Sequence, residues 1–266
     1  MQDLTAYFPL TKAKKAKLEE NSCFVAGTLV HTRDGLLPIE AIKVGDWVLS
    51  KLDDGSGELE YKRVSRTFVH HDKETFLIKF HRALGSEQAK LIDPKDYESL
   101  GEWIAVTISH PFWVKQSHYT IDGSYISIQG WKESNWIHSD EEPFFLTHPD
   151  EPEKAGWVEV GNIGNGDLIL TADGGYASAR HITPIFPRGL GPDIGWAPFD
   201  HGDLRGMLVD FSKFPFGVTN EFCPIDLVPE GRGLGCTVYN IEVEFHHTYF
   251  VGRLGLWVHN KNINMY

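Results

Sequence analysis

The sequence lacks the features of several large classes of protein. It has only three cysteines, Cys23, Cys223 and Cys236, which are too few and too odd in number for a disulfide framework. No apolar run approaches the roughly 18 residues of a membrane span. Residues 1–22 lack the apolar stretch of a secretory signal peptide. We therefore expect no disulfide-stapled scaffold, no membrane span and no N-terminal secretory signal.

Basic residues are scarce as well. The chain has 25 Lys and Arg against 37 Asp and Glu, a formal net charge of −12. Its one basic cluster, residues 12–17, lies in residues 1–22, which we interpret as a solvated polar leader. A nucleic-acid-binding surface needs clustered positive charge for the phosphates, so the composition argues against a nucleic-acid partner.

Helical periodicity is nearly absent after the leader. Short β-type runs, such as residues 28–32, 46–50 and 102–107, are separated by Gly, Asp and Pro. Many short strands at this spacing are typical of all-β proteins. With 266 residues and 41% hydrophobic residues, the chain can bury one core of moderate size. The sequence therefore predicts one all-β domain over residues 23–260.

An internal similarity indicates how the strands are arranged. Residues 42–50 and 163–171 each have an Ile followed three residues later by Gly-Asp, three apolar residues and a hydroxyl residue. Such a repeat predicts two related β-units with a pseudo-two-fold relation. A chance similarity of two β-turn-β segments is the alternative.

Two stretches are expected to be insertions. Residues 118–156 contain aromatic patches between acidic and proline-rich segments, and residues 186–236 are rich in Gly and Pro. Loops of this length are unusual within a compact domain, so we expect them to carry extra strands or an auxiliary surface. Their aromatic residues are more typical of a local core than of a ligand site.

The two ends of the predicted domain carry residues that can break their own backbone. The thiol of Cys23 can attack the carbonyl on its N-terminal side and form a thioester. Near the other end, the side-chain amide of Asn260, which follows His259, can attack its own carbonyl and close a succinimide. A chain bracketed in this way can cut itself.

Four segments resemble the Hint family, which includes inteins, hedgehog autoprocessing domains and the pretoxin Hint modules of bacterial polymorphic toxins. These segments are residues 23–30 (CFVAGTLV), 107–112 (TISHPF), 238–252 (VYNIEVEFHHTYFVG) and 258–260 (VHN). The first and third make the pretoxin branch the most similar. The resemblance spans residues 23–260 apart from the two insertions, and it implies a horseshoe-shaped Hint fold with pseudo-two-fold β-units.

The resemblance also implies roles at the N-terminal end. Cys23 would attack the carbonyl of Ser22, and its thiol needs local activation because an ordinary thiol is mostly protonated at neutral pH. His110 would protonate the departing nitrogen, and Thr107 would orient the bond. Imidazole suits proton transfer near neutrality. The alternative is that Thr107 and His110 form an ordinary strand end before Pro111.

At the C-terminal end, the resemblance implies that Asn260 cyclises and cuts the Asn260–Lys261 bond. His259 would stabilise the developing oxyanion, and His247 would activate the amide or protonate the leaving amine. Within a strand, the side chain of the adjacent His246 would point to the opposite face. The alternative is that the His-Asn pair has no chemical role.

Two departures from inteins argue against protein splicing. Splicing inteins carry Cys, Ser or Thr after the terminal Asn, whereas Lys261 has no such hydroxyl or thiol to accept the migrating segment. In addition, Asn240 lies where many inteins have an Asp that couples the two steps. Residues 261–266 would be the start of a downstream segment or a trimmed tail.

The sequence thus predicts a single-turnover autocatalytic domain that releases a C-terminal effector, a toxin by resemblance, from a precursor. Its partners would be its own flanking segments, in a monomer. We expect no cofactor and no metal, because no Cys or His cluster has zinc-site spacing. The localisation is not assigned beyond export as part of a larger toxin.

Two other functions remain as alternatives. The first is a processing-inactive Hint scaffold or linker in a secreted toxin. The second is a Cys/His hydrolase acting on other molecules, which ranks last because Cys23 enters a β-run rather than a helix.

Overall fold

The computed structural model describes residues 22–83, 99–116, 154–164, 166–198, 205–222 and 232–260, and these are almost entirely β-structure. The strands are β1 (Phe24–Val25), β2 (Leu29–Thr32), β3 (Gly35–Pro38), β4 (Trp47–Ser50), β5 (Glu60–Glu74), β6 (Phe76–Arg82), β7 (Gly101–Val106), β8 (Pro111–Gln116), β9 (Lys154–Glu159), β10 (Leu168–Leu170), β11 (Tyr176–Pro184), β12 (Phe186–Pro187), β13 (Ile194–Pro198), β14 (Arg205–Asp210), β15 (Gly217–Phe222), β16 (Gly235–Val243), β17 (Thr248–Val251) and β18 (Leu256–His259). The prediction of an all-β fold is confirmed.

Several predicted segments lie outside the described residues. They are the leader up to residue 21, residues 118–153 of the first predicted insertion, and the tail 261–266. In the part of the chain that is described, no helix has the length and apolar character needed to cross a membrane.

The strands form two sheets. The main sheet has 14 strands in the order β10-β11-β6-β7-β1-β16-β5-β4-β2-β17-β18-β8-β9, with β3 paired to β2. An additional pairing of β10 with β8 closes this path on itself. The smaller sheet has four strands in the order β12-β13-β14-β15, and we call it the accessory sheet.

The main sheet contains two copies of one unit. In the first copy the hairpin β2–β3 leads through a 3-10 helix, Ile39–Ala41, into the hairpin β4–β5. In the second copy β8–β9 leads through the 3-10 helix Val160–Asn162 into β10–β11. The equivalent strands also pair across each unit, β2 with β4 and β8 with β10.

The Gly-Asp step of the repeat builds the same turn in both copies. The Asp46 carboxylate accepts the N–H of Lys43 at 2.8 Å, and the Asp167 carboxylate accepts the N–H of Gly164 at 2.8 Å. A carboxylate that binds a backbone N–H three residues earlier holds the chain in a tight turn. The pseudo-two-fold relation predicted from the sequence is therefore confirmed.

The glycine of each repeat has a conformational role. Gly45 has φ +96° and Gly166 has φ +98°, in the left-handed region that side chains with a Cβ rarely adopt. Each glycine N–H then donates to the second strand of its own hairpin, to Val64 O at 2.9 Å and to Ala179 O at 2.7 Å.

The C-terminal hairpin β17–β18 joins the two units. Val251 on β17 pairs with Val30 on β2, and Val258 on β18 pairs with Phe112 on β8. Asn260, which follows β18 directly, is therefore carried by a hairpin that pairs with both copies.

The accessory sheet lies within the second predicted insertion, residues 186–236. The residues on either side of the segment that carries it, Ile185 and Leu234, are hydrogen-bonded to each other. The N–H of Leu234 donates to the carbonyl of Ile185 at 2.7 Å. Apolar residues of this sheet share a buried cluster with the main sheet. Its buried members are Cys23, Val25, Leu77, Ala105, Ile185, Ala197, Met207, Val209, Leu234 and Val238.

Candidate functional site

The Ser22–Cys23 peptide lies buried at the start of β1. Ser22 is 4% exposed and Cys23 is 1% exposed. The strand that follows is flanked on both sides, because Phe24 pairs with Val106 on β7 and with Tyr239 on β16. The scissile bond predicted at this end is thus held by central strands of the main sheet.

Thr107 holds the backbone of Cys23 from both sides. The N–H of Cys23 donates to the Thr107 hydroxyl at 2.9 Å, and the N–H of Thr107 donates to the Cys23 carbonyl at 3.0 Å. A tight turn, in which the N–H of His110 donates to Thr107 O at 3.1 Å, brings His110 back to the same place. The spacing of three between these residues therefore places both at one peptide bond.

His110 is fully buried between aromatic rings. Its ring lies 4.1 Å from that of Phe24 and 5.8 Å from that of Phe112, between centroids. Burial lowers the pKa of His110 to about 3, and a positive charge on His259 would lower it further, while the nearby main chain of Ser22 opposes the shift. His110 is therefore neutral at physiological pH and lies beside the predicted scissile carbonyl.

The thiol of Cys23 is also held in its uncharged form. Burial raises its pKa to about 12, against a smaller lowering by Lys73. Because the thiolate is the nucleophilic species, the resting Cys23 is unreactive. Any attack on Ser22 requires the proton to leave during the reaction itself.

Asn260 follows directly on β18 and has a fixed main chain. Its N–H donates to the carbonyl of His247 at 2.9 Å. Among the described residues, neither the nitrogen nor the oxygen of its side-chain amide has a hydrogen-bond partner. The backbone of Asn260 is thus anchored while its amide is left without competing contacts.

His259 packs against an aromatic ring and an acidic loop. Its ring lies 4.9 Å from that of Trp157, nearly edge to face. Its Nε2 is 3.9 Å from a carboxylate oxygen of Asp53, whose carbonyl accepts the Trp157 indole N–H at 2.8 Å. Sequence reasoning missed Asp53, because the segment around it has the composition of an ordinary turn.

The expectation that His246 lies in a strand, facing away from His247, is wrong. β16 ends at Val243 and β17 begins at Thr248, so neither histidine lies in a strand. His247 has φ +55°, which removes the alternation of side chains on which the argument depended. His246 is the more buried of the two, at 4% exposed. Burial lowers the pKa of His246. The hydrogen bond between His247 and Asn260 is made by the main-chain carbonyl of His247.

Asn240 makes a contact that the sequence did not reveal. Its side-chain N–H₂ donates to the carbonyl oxygen of Asn260 at 3.2 Å. Its side-chain oxygen accepts the N–H of Ile241 at 2.8 Å and the hydroxyl of Tyr249 at 2.7 Å. The sequence indicated Asn240 only through its place in residues 238–252, where many inteins have an Asp.

The register between β1 and β16 links the two ends of the domain. Phe24 pairs with Tyr239, so the antiparallel register continued by one residue sets Cys23 opposite Asn240. Asn240 in turn contacts Asn260. Two electrostatic effects support the same convergence, since a charge on His259 would lower the pKa of His110 and a charge on Cys23 would raise the pKa of Tyr249. Residues far apart in the chain thus meet in one buried region.

In the described ranges, no group of three or more His, Cys, Asp or Glu side chains is arranged to hold a metal ion. The arrangement instead presents two backbone carbonyls, those of Ser22 and Asn260, with neutral proton donors and acceptors around them.

Comparison with known families gives one match. Residues 29–122 match the family described as the pretoxin Hint domain. This range contains Thr107 and His110, while Cys23 and Asn260 lie outside it. No curated protein sequence matches the chain. The resemblance to the Hint family, with its pretoxin branch, is confirmed by the family match.

Similar solved structures are intein-like. A bacterial intein-like domain from Clostridium thermocellum is 21% identical, with a TM-score of 0.45, over 90% of this chain and 98% of that domain. A DnaB intein from Synechocystis sp. PCC 6803 is 11% identical, with a TM-score of 0.43, over 91% of this chain and 99% of the intein.

Proposed function

Because residues 29–122 match the pretoxin Hint family, we propose that this chain acts as a Hint domain that cuts its own backbone after Asn260 and releases the segment that follows. The reaction is a single turnover, because the cut bond belongs to the chain itself. In a pretoxin, the released segment would be a toxin carried at the C-terminal side. The partners of the domain are then its own flanking segments, and its export would be that of the larger toxin.

The observation that carries the proposal is the state of Asn260. Its main chain is anchored by the bond from its N–H to His247 O, while its side-chain amide has no partner among the described residues. An anchored carbonyl beside an uncommitted amide favours the intramolecular attack, since little freedom has to be lost to reach the reacting geometry.

The bond changes of this step balance within the chain. The Asn260 side-chain nitrogen bonds to the Asn260 carbonyl carbon, and the bond from that carbon to the Lys261 nitrogen breaks. A proton lost by the attacking amide goes to the Lys261 amine, and we assign this transfer to His247. His259, which follows Val258 in the buried end of β18, would stabilise the oxyanion. The products are a C-terminal succinimide and a new N-terminus at Lys261.

The step at Cys23 is proposed as a slower, second reaction. The thiol would add to the Ser22 carbonyl carbon, and the Ser22–Cys23 bond would break as the nitrogen takes up a proton. The contacts of Thr107 with Cys23 support its predicted role in orienting this bond. The buried thiol makes the step slow, and Lys261 provides no hydroxyl or thiol to receive the acyl group, so water would resolve the thioester.

The decisive experiment uses the chain extended after Tyr266 by a folded tag. The purified protein is expected to shed the tag over time, leaving a fragment one water lighter than one ending in free asparagine. Asn260→Ala should keep the tag, while Cys23→Ala should shed it as the parent does. Equal shedding by the parent and Asn260→Ala would contradict cyclisation at Asn260.

A processing-inactive scaffold is the second candidate, and the burial of Cys23 favours it at the N-terminal end. It predicts a full-length product that is stable for days, with or without added thiol. Intact mass measured over time separates this outcome from the first candidate.

A further inference from the structure

We propose that Asn240 is a catalytic residue of the C-terminal cut, which polarises the Asn260 carbonyl, and that Tyr249 is the positioning residue that aims it. This inference rests on the proposed function, because it assigns the hydrogen-bond donor for the same reacting carbonyl.

The contact lies on the atom that gains charge. The Asn240 amide donates to the carbonyl oxygen of Asn260 at 3.2 Å. When the side-chain nitrogen of Asn260 adds to its own carbonyl carbon, that oxygen becomes negatively charged. A donor already in place is a preorganised oxyanion-stabilising group, and removing one such donor slows known enzymes by about 10²–10³-fold.

The direction of the Asn240 amide is set by its other contacts. Its oxygen accepts two hydrogen bonds, from the N–H of Ile241 and from the hydroxyl of Tyr249. An amide whose oxygen is held by two donors must turn its nitrogen the other way, which is toward Asn260. If the amide were flipped, two donors would face the N–H₂ group and the bond to Asn260 would be lost.

Tyr249 is suited to hold this orientation. It is fully buried on β17, and its hydroxyl keeps its proton because burial raises its pKa well above 10, an effect that a negative charge on Cys23 would increase. It therefore remains a donor over the whole working pH range. Since β17 pairs with β18, the strand that carries Tyr249 also sets the position of Asn260.

The same geometry gives a reason for an amide at this position. A carboxylate in place of Asn240 would present a negative oxygen to the Asn260 carbonyl, where negative charge develops. Only its protonated form could donate. Asn240 itself exchanges no proton, so the proton that leaves the Asn260 amide still travels to the Lys261 amine.

The test measures tag release from the extended chain described above. We expect Asn240→Ala to slow release about 10²–10³-fold and Tyr249→Phe to slow it about tenfold. Tyr239→Phe is the matched control, since it removes a hydroxyl from the residue beside Asn240, and it should release the tag at the parent rate. Urea unfolding of each variant, in an Asn260→Ala background, shows whether the fold is retained.

Asn240→Asp tests the catalytic role through the pH dependence of tag release, which a purely structural role of Asn240 would leave unchanged. Relative to the parent at the same pH, its rate should be lowest above pH 7 and should recover as the carboxyl group is protonated. Dividing by the parent rate removes the pH dependence that the two proteins share.

The outcomes separate the two proposals. If the parent protein does not release the tag in an Asn260-dependent way, the proposed function itself fails. If the parent does so, but Tyr249→Phe and Asn240→Ala release it at the parent rate, only the inference about Asn240 and Tyr249 is overturned. Should Asn240→Ala fail to fold, Tyr249→Phe and the pH profile of Asn240→Asp still decide the matter.

Discussion

Cys23 and His110 are both uncharged in the folded protein, so the thiol must lose its proton before it can act as a nucleophile. The thiol has a pKa of about 12 and the imidazole a pKa of about 3, so neither group is charged between pH 5 and 9. Forming either charge in this buried site is costly, so the reaction proposed at the Ser22–Cys23 peptide would be slow compared with folding. The same burial has a measurable effect on stability in acid.

The folded protein should lose stability in mild acid because of His110. Its folded pKa of about 3 is below the unfolded value of 6.5, so the unfolded chain binds the proton first as the pH falls. The contribution is complete above pH 6.5 and is lost toward pH 3, at about 1.4 kcal/mol per pH unit. Between pH 6.5 and 5 this amounts to about 2 kcal/mol of unfolding free energy. Urea unfolding at both pH values, in an Asn260→Ala background, measures it.

His110→Phe provides the comparison, because it fills the same aromatic site without a titratable group. The variant should lose about 2 kcal/mol less than the parent over that interval. Equal losses in the two proteins would mean that folding does not lower the pKa of His110. His31 and His246 titrate in both proteins and cancel in the comparison.

The contact of Thr107 with Cys23 agrees with what local spacing predicts, whereas the contact of Asn240 with Asn260 was not predictable from the sequence. Thr107 and His110 are close because a single tight turn separates them, and local spacing can indicate a turn. Asn240 lies on β16, Tyr249 on β17 and Asn260 just after β18, and β16 is hydrogen-bonded to neither of the other two strands. The contacts among these side chains therefore depend on how the strands pack, which no local sequence pattern records.

Among the strands and turns as well, features set by a local turn were predicted correctly, whereas the side-chain directions of His246 and His247 were not. The Gly-Asp repeat was visible because it is set by a turn of four residues, and it identified two equivalent units. The alternation applied to His246 and His247 failed because a turn and a positive φ interrupt the strand there. A pattern of period two applies only where the backbone stays extended.

The hairpin β17–β18 is held from outside by one buried carboxylate. Glu102 on β7 accepts the N–H of Arg253 at 2.7 Å and the N–H of Leu254 at 2.8 Å. Both donors lie in the turn between the two strands that position Tyr249 and Asn260. Burial raises the pKa of Glu102, while these bonds oppose the shift.

Replacing Glu102 by Ala should destabilise the fold by about 2–3 kcal/mol, since bonds to a charged acceptor are lost and the two donors lose their partner. Urea unfolding at pH 7 measures the change. The matched control is Glu242→Ala on the same sheet, whose contact with the exposed Arg66 spans 3.6 Å and should contribute less than about 1 kcal/mol. Equal effects of the two substitutions would show that Glu102 does not hold the hairpin.

The molecule as a whole is a two-unit sheet with an accessory sheet packed against it. The accessory segment starts and ends at Ile185 and Leu234, which are hydrogen-bonded neighbours in the main body. Buried residues of its strands, Met207 and Val209 among them, belong to the same apolar cluster as Cys23. The desolvation that keeps the thiol protonated therefore depends on a segment outside the two repeated units.

Removing the accessory segment should make Cys23 reactive. We replace residues 186–233 by an Asn-Gly turn. Ile185 and Leu234, which are hydrogen-bonded to each other, should then be joined by this short turn without strain. The main sheet should still form, and Cys23 should react with iodoacetamide faster than in the parent at pH 8, because water reaches the thiol and its pKa falls. Mass spectrometry of the Cys23 peptide gives the rate, normalised to the rate in urea.

Point variants separate local exposure from general loss of stability. Met207→Ala opens the cluster that contains Cys23, whereas Ile78→Ala opens the other buried cluster of the main sheet. Each should cost about 2–5 kcal/mol. Only Met207→Ala should speed the labelling of Cys23 under conditions where both variants are fully folded. Equal labelling in these two variants, together with an unchanged rate in the shortened chain, would show that the main sheet alone buries the thiol.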